Sequence, residues 1–79
     1  MKGLGMCLLQ MKIGETAVID AVNVDGDLKQ RLISLGLIRH ASVSMKNFGW
    51  FKSTVQIMIN RSFIALRKEE AALIMVHKI

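Results

Sequence analysis

The sequence predicts a mainly β domain: a small closed or partly closed barrel of about five short strands, with one short α-helix inserted after the first strand. Several runs alternate apolar and polar residues and are rich in β-branched side chains, which is the pattern of half-buried strands. Turn dipeptides such as Asp25-Gly26 and Asn60-Arg61 separate these runs. One stretch, between Asp27 and Leu35, repeats its leucines with the helical period instead.

The first strand lies between two turns. An apolar lead-in from Leu8 to Ile13 ends at Gly14, a natural turn residue. The next run, Thr16 to Val24, contains several β-branched residues and predicts a strand. Asp25-Gly26 ends this strand, because the dipeptide is common in tight turns.

The predicted helix has a start signal, an apolar stripe and a stop signal. Asp27 is expected at the N-cap, where its carboxylate would accept a hydrogen bond from a free amide of the first turn. Leucines then recur with helical spacing at Leu28, Leu32 and Leu35. Gly36 follows where a left-handed cap residue is favoured, and Leu37 is placed for the apolar contact that accompanies such a cap. A helix this short is unstable on its own. Its leucines are therefore expected to pack on the sheet.

The C-terminal half predicts the other strands. Its elements in chain order are strands over Ser42 to Phe48 and Thr54 to Ile59, a tight turn at Asn60-Arg61, a strand over Phe63 to Leu66, one helical turn over Lys68 to Ala72, and a final strand over Leu73 to Ile79. Asparagine tolerates a positive φ, which favours the turn at Asn60.

Length and composition limit the kinds of function. A chain of 79 residues predicts one domain over residues 1–79, and a domain this small seldom encloses a large ligand cavity. The N-terminal apolar run is too short to span a bilayer and carries no signal-peptide pattern, so we expect no membrane insertion. The single cysteine, Cys7, cannot form an internal disulfide, which fits a cytoplasmic protein. The apolar content of 52% leaves room for a homo-oligomer.

No pattern of residues indicates catalysis or a metal. Cys7 and the serines have no base at a defining spacing, and His40 and His77 form no ligand pair. The glycines are dispersed and form no phosphate-binding loop. We therefore expect a protein that is not an enzyme and that carries no cofactor and no metal.

The formal charge of +5 is concentrated in the middle of the chain, since all the acidic residues lie towards its two ends. A basic middle attracts nucleic acid, anionic lipid or an acidic protein surface. The stretch KNFGWFK, from Lys46 to Lys52, also holds most of the aromatic residues. Its aromatic rings could stack on nucleic-acid bases, which makes a nucleic-acid-binding barrel one alternative. Its position between two strands instead predicts a connecting loop. We expect Phe48 to end the core side of a strand, and Trp50, Phe51 and Lys52 are candidates for a protein-docking tip.

Two further elements carry a resemblance. They are R-L-x-x-L-G-L, from Arg31 to Leu37, and I-A-L-R-x-x-E-A-x-x-I-x-V, from Ile64 to Val76. In this order, after Gly14-Glu15, they resemble the FeoA family of ferrous iron transport proteins. The resemblance implies a barrel like that of Src-homology-3 (SH3) domains. It also implies a cytosolic accessory, without established catalysis, to the membrane ferrous iron transporter FeoB.

The resemblance adds a second alternative function, and the sequence departs from the family pattern at two positions. Similar domains end some metal-dependent repressors, so a metal-sensing role is the other alternative. The usual Pro-Gly is replaced by Arg39-His40, and a usual hairpin glycine by Asn60-Arg61.

The candidate partner-binding residues lie on the helix and in the loops. They are Lys29, Arg31, Arg39, Lys46, Trp50, Phe51 and Lys52. Charged and aromatic side chains of this kind are common anchors in protein interfaces. We expect them to face a FeoB-type transporter, with nucleic acid the less favoured partner.

Overall fold

The computed structural model describes residues 5–79 of the chain. Its elements in chain order are β1 (Met6–Cys7), a 3₁₀ turn (Leu8–Gln10), β2 (Thr16–Val22), α1 (Gly26–Ser34), β3 (Ser42–Phe48), a second 3₁₀ turn (Trp50–Lys52), β4 (Thr54–Ile59), β5 (Ser62–Arg67), α2 (Lys68–Ala71) and β6 (Ile74–Lys78). The mainly β prediction with one inserted helix is therefore confirmed. No helix in residues 5–79 is long and apolar enough to cross a lipid bilayer.

The strands form one antiparallel six-stranded sheet in the order β1-β6-β2-β3-β4-β5. The sequence predicted about five strands, because β1 has too few residues to give a pattern. It is a strand only through its pairing with β6, where Met6 faces Val76 and Cys7 faces Met75. Within residues 5–79 no ladder joins β1 to β5, so the sheet does not close into a complete barrel.

The core is made of apolar side chains from every part of the sheet. Within the described residues no polar or charged side chain is buried. The strands contribute alternate residues, as their period of two requires. These are Ala17, Ile19, Val43, Met45, Val55, Ile57, Ile59, Ile64, Leu66, Ile74 and Val76. The predicted strand faces are therefore confirmed.

Helix α1 packs its leucine stripe on this core, as predicted. Leu32 is fully buried, while Leu28 and Leu35 are half-buried against the core. The expected cap at Asp27 was wrong: Asp25 occupies the N-cap position and makes no side-chain cap bond. The helix begins at Gly26, which adopts its φ of +66° without strain because it has no Cβ atom. Asp27 lies in the first turn instead, where a carboxylate still favours the helix dipole.

The C-terminal end of α1 confirms the predicted glycine cap. Gly36 has a φ of +98°. Its N–H donates to the Ile33 carbonyl at 3.0 Å, and the Leu37 N–H donates to the Leu32 carbonyl at 2.9 Å. This pair of bonds defines a Schellman motif, and Leu32 and Leu37 are both fully buried beside it.

Candidate protein-docking site

The predicted site residues do not form one continuous surface. Trp50, Phe51 and Lys52 form a tip between β3 and β4. Lys29 and Arg39 line one surface depression. Arg31 lines a separate groove, and this difference follows from the helix, because residues two apart do not face the same way. Lys46 lies on β3 at a bulge, where the pairing with β4 shifts between Met45 and Asn47.

The tip is a tight turn held by backbone bonds. The Gly49 N–H donates to the Thr54 carbonyl at 2.9 Å, and the Lys52 N–H donates to the Gly49 carbonyl at 2.9 Å. A Cβ atom at Gly49 would lie 2.1 Å from the Thr54 hydroxyl oxygen, so any other residue there would force the Thr54 side chain to move. The predicted connecting loop is confirmed. Phe48 lies half-buried against the core, so its predicted place on the core side of the strand end is also confirmed.

The aromatic side chains of the tip face solvent. Trp50 is 83% exposed and Phe51 is 91% exposed. Their ring centroids are 5.9 Å apart with the planes tilted by 48°. The Lys52 ammonium lies 4.9 Å from the centroid of the Phe48 ring, a distance typical of a cation–π contact. This contact holds the positive charge of Lys52 over the Phe48 ring.

The backbone of the tip adopts a conformation that bulky residues avoid. Phe51 has φ 50° and ψ 30°, and Lys52 has φ 58°. This is the left-handed region, which costs about 1–2 kcal/mol for a residue with a Cβ atom. Strain of this kind is concentrated at functional sites. No pattern in the sequence predicted it, since neither residue is typical of this region.

The depression beside α1 combines cations with apolar side chains. It has a volume of about 350 Å³, and Lys29 and Arg39 line it together with Ile33, Ile38 and Asp20. Ile33 is 41% exposed and Ile38 is 47% exposed. Sequence reasoning overlooked both isoleucines, although Ile33 falls off the leucine stripe and so was recognisable as a surface residue.

The turn at Arg39-His40 forms without the proline and glycine usual in the family. His40 has a φ of +77°, so histidine adopts the left-handed conformation at the glycine position. Its N–H donates to the Ile19 carbonyl at 2.8 Å, and the Ile19 N–H donates to the Ala41 carbonyl at 2.8 Å. These bonds tie the loop that carries Arg39 to β2.

The groove on the other side of α1 has a volume of about 560 Å³. Its lining includes Asp27, Leu28 and Arg31 from α1, and Ala65, Arg67 and Glu70 from β5 and α2. The Arg67 N–H donates to the Glu70 carboxylate at 2.9 Å, which anchors the start of α2. Sequence reasoning did not select Arg67, although the spacing of Arg67 and Glu70 is that of a capping pair.

Two polar side-chain contacts at the surface link β6 to β2 and to the residue before it. His77 Nδ1 lies 2.6 Å from Asp20 Oδ1, at the bulge where β2 and β6 change register. Lys78 Nζ lies 2.9 Å from Glu15 Oε2. The Lys12 backbone N–H also donates to Glu15 Oε1 at 2.6 Å. That backbone bond, followed by the Lys78 ammonium, lowers the pKa of Glu15.

Potential metal ligands do not converge in the described part of the chain. Within residues 5–79 no three His, Cys, Asp or Glu side chains lie close enough together to hold an ion. Cys7 is half-buried on β1 and is a free thiol.

Comparison with known proteins finds relatives in the FeoA family. The profile of the FeoA domain matches residues 6–78. A Campylobacter jejuni protein named as an Fe(2+) transport protein A is 31% identical over 74 residues, which cover 94% of this chain and 100% of that one. The solution structure of the FeoA protein from Chlorobium tepidum is 28% identical, covers 94% of this chain and 70% of that one, and superposes with a TM-score of 0.87.

One further solved structure supports the fold alone. It is the FeoA protein of Stenotrophomonas maltophilia complexed with zinc, described as a procaryotic SH3 domain protein. It is 24% identical, covers 90% of this chain and 88% of that one, and gives a TM-score of 0.76. The predicted SH3-like architecture is therefore confirmed.

Proposed function

This chain belongs to the FeoA family, and we propose that it is a cytoplasmic, non-enzymatic accessory protein of ferrous iron uptake. In this proposal it docks on the cytosolic part of a FeoB-type membrane iron transporter and modulates its assembly or activity. The observation that carries the proposal is the match over residues 6–78 to the FeoA domain, together with a relative named for Fe(2+) transport that aligns over its whole length.

The surface of the molecule supports a docking role. Trp50 and Phe51 are almost fully exposed on a short turn, with Lys52 beside them. Tryptophan is among the residues that contribute most binding energy when an interface covers them. Apolar side chains this exposed gain free energy when a partner removes them from water. We therefore propose the tip as the principal contact.

The depression beside α1 is proposed as a second contact. Ile33 and Ile38 offer apolar area, and Lys29 and Arg39 offer positive charge around it. An apolar centre with a charged rim is the usual anatomy of a transient interface. An acidic and apolar segment on the cytosolic side of the transporter would match this surface.

The interior leaves the surface as the place where a partner binds. All buried side chains within residues 5–79 are apolar, so the described core holds no titratable group for acid–base chemistry. What remains for function is the surface, and its most exposed apolar residues lie at the tip.

A deletion and a pull-down together test the proposal. A strain lacking the chain should take up radiolabelled ferrous iron more slowly, and the chain supplied from a plasmid should restore uptake. A tagged form should recover the detergent-solubilised transporter from membranes. Unchanged uptake in the deletion strain, combined with no recovered transporter, would refute the accessory role.

A further inference from the structure

The outer edge of β5 is an unpaired strand edge beside a groove. Strand β5 lies at the end of the sheet and pairs only with β4 within residues 5–79. A strand edge of this kind presents backbone N–H and C=O groups that can pair with another chain. The geometry points to this edge as a binding site for an extended segment of a partner protein, apolar at its centre and acidic at its ends.

The register identifies which backbone groups face outward. The turn Asn60-Arg61 joins paired residues Ile59 and Ser62, and in so short a hairpin this closing pair is hydrogen-bonded. Bonded and non-bonded pairs then alternate, so Phe63, Ala65 and Arg67 direct their N–H and C=O groups away from β4. Bonds at the far end agree: the Ser53 carbonyl accepts from the Lys68 N–H, and the Thr54 carbonyl faces β3 by accepting from Gly49.

The outward groups of Phe63 and Ala65 have no backbone partner within the described residues. The Arg67 N–H is already used by the Glu70 carboxylate. From Phe63 to Arg67 the open edge extends roughly 13 Å at the rise of a strand. This length accommodates a short added strand, which is the mode called β-augmentation.

The groove supplies space beside the edge. Its volume of about 560 Å³ lies between α1 and the C-terminal half of β5, where Ala65 leaves the approach unobstructed by a large side chain. Phe63 is 63% exposed on the same strand face as Ala65, so an apolar side chain of the added strand would contact its ring.

The charges around the edge of β5 indicate which kind of segment binds there. Arg31 and Arg67 line the groove, and Arg61 is exposed at the turn that begins β5. The acidic groups there are Asp27 and Glu70, and Glu70 keeps its charge while it accepts from the Arg67 N–H, so three arginines face two carboxylates. An added strand with carboxylates at its ends complements this distribution. A second copy fits less well, because the chain carries a net charge of +5 and arginines lie at both ends of the edge.

This inference rests on the proposed accessory role, because it specifies one way in which a partner is held. The test is selection of binders from a phage-displayed heptapeptide library, followed by fluorescence anisotropy with the selected peptides. Peptides rich in glutamate, aspartate and β-branched residues should be enriched. Their amide shift changes in ¹⁵N-labelled protein should map to residues 62–67 and α1.

The decisive variant is Ala65→Pro. Proline removes the outward N–H and is tolerated on an edge strand where that N–H faces solvent. Peptide affinity should fall at least tenfold in Ala65→Pro, while Ala65→Ser, which keeps the N–H, should stay within twofold of the unmodified chain. The control variant Ile13→Ser should bind the peptide normally, because Ile13 is an exposed side chain that does not line the groove.

Several results would overturn the inference. One is a selection that enriches no peptides, and another is a peptide affinity for Ala65→Pro equal to that for the unmodified chain. A third is a sedimentation profile in which the unmodified chain dimerises and Ala65→Pro does not. If circular dichroism shows that Ala65→Pro is unfolded, N-methylation of alternate peptide amides tests the same bonds, and undiminished binding would then refute it. Transporter recovery without peptide binding would reject the edge and leave the accessory role intact.

Discussion

The two connections that flank β4 both use left-handed backbone, but with different residues. The β4–β5 turn places Asn60 at φ 56°, and asparagine tolerates this conformation. The β3–β4 connection places Phe51 and Lys52 there, and neither residue is suited to it. The first turn faces the cap at Gly36, whereas the second carries the two most exposed aromatic rings. The contrast shows that the β4–β5 turn suits its backbone conformation, whereas the tip combines backbone strain with exposed aromatic rings.

The largest effect is expected at the packed turn. Gly36→Ala would place a Cβ atom 2.8 Å from Asn60 Nδ2 and 3.3 Å from Ile59 Cγ2, at a φ of +98°. We expect the free energy of unfolding to fall by about 2–3 kcal/mol, because left-handed strain and crowding combine. Urea denaturation monitored by circular dichroism measures the loss.

A matched control separates those two causes. Gly14 has a φ of +92°, and a Cβ atom there would have open space around it, with no contact within 4 Å beyond its chain neighbours in the described residues. Gly14→Ala should therefore show only the backbone cost, about 1 kcal/mol. Equal losses in both variants would mean that crowding of the new Cβ atom against the β4–β5 turn adds no cost.

A gain in stability is expected at the tip. Phe51→Gly removes a bulky residue from the left-handed region, so the free energy of unfolding should rise by about 0.5–1 kcal/mol after the extra entropy of glycine in the unfolded chain is counted. Asn60→Gly should change it by less than about 0.5 kcal/mol, because asparagine is already tolerated. Thermal unfolding of both variants checks the difference. A destabilised Phe51→Gly would show that the ring supports the fold.

The smallest effect lies outside both connections and depends on pH. The folded-state pKa of Glu15 is lowered, chiefly by the Lys12 N–H and then by Lys78. Its contribution to stability is therefore present above the unfolded pKa of about 4.3 and is lost as the pH falls through the lower folded pKa. Glu15→Gln should be slightly less stable than the unmodified chain at pH 7, and the difference should shrink as the pH falls through the folded-state pKa of Glu15. A difference that grows on acidification would contradict this.

The local elements of the fold were predictable from the sequence, and the long-range ones were not. The bounds of β3 and β4 match the alternating runs, and the Gly36 cap follows from adjacent residues. Strand β1 depends on β6, which lies almost the whole chain away. The bulges after Ile19 and Met45 depend on how neighbouring strands align, which alternation within one strand does not encode.

The candidate site was predictable in its residue types but not in its geometry. KNFGWFK identified the exposed rings, because aromatic residues between two strands have no core position to fill. The separation of Lys29 and Arg39 from Arg31 could not be predicted without the orientation of the helix. The open edge of β5 could not be predicted without the order of the strands in the sheet.

We propose that the tip binds the transporter and does not stabilise the fold. The direct test compares the double variant Trp50→Ser with Phe51→Ser against Ile13→Ser, which removes a side chain that is 60% exposed elsewhere. Affinity for the solubilised transporter is measured by biolayer interferometry, and unfolding free energy by urea denaturation. We predict that the double variant binds at least tenfold more weakly, with stability within about 0.5 kcal/mol of the unmodified chain or above it, while Ile13→Ser binds normally. Full affinity in the double variant, or its unfolding, would contradict the claim.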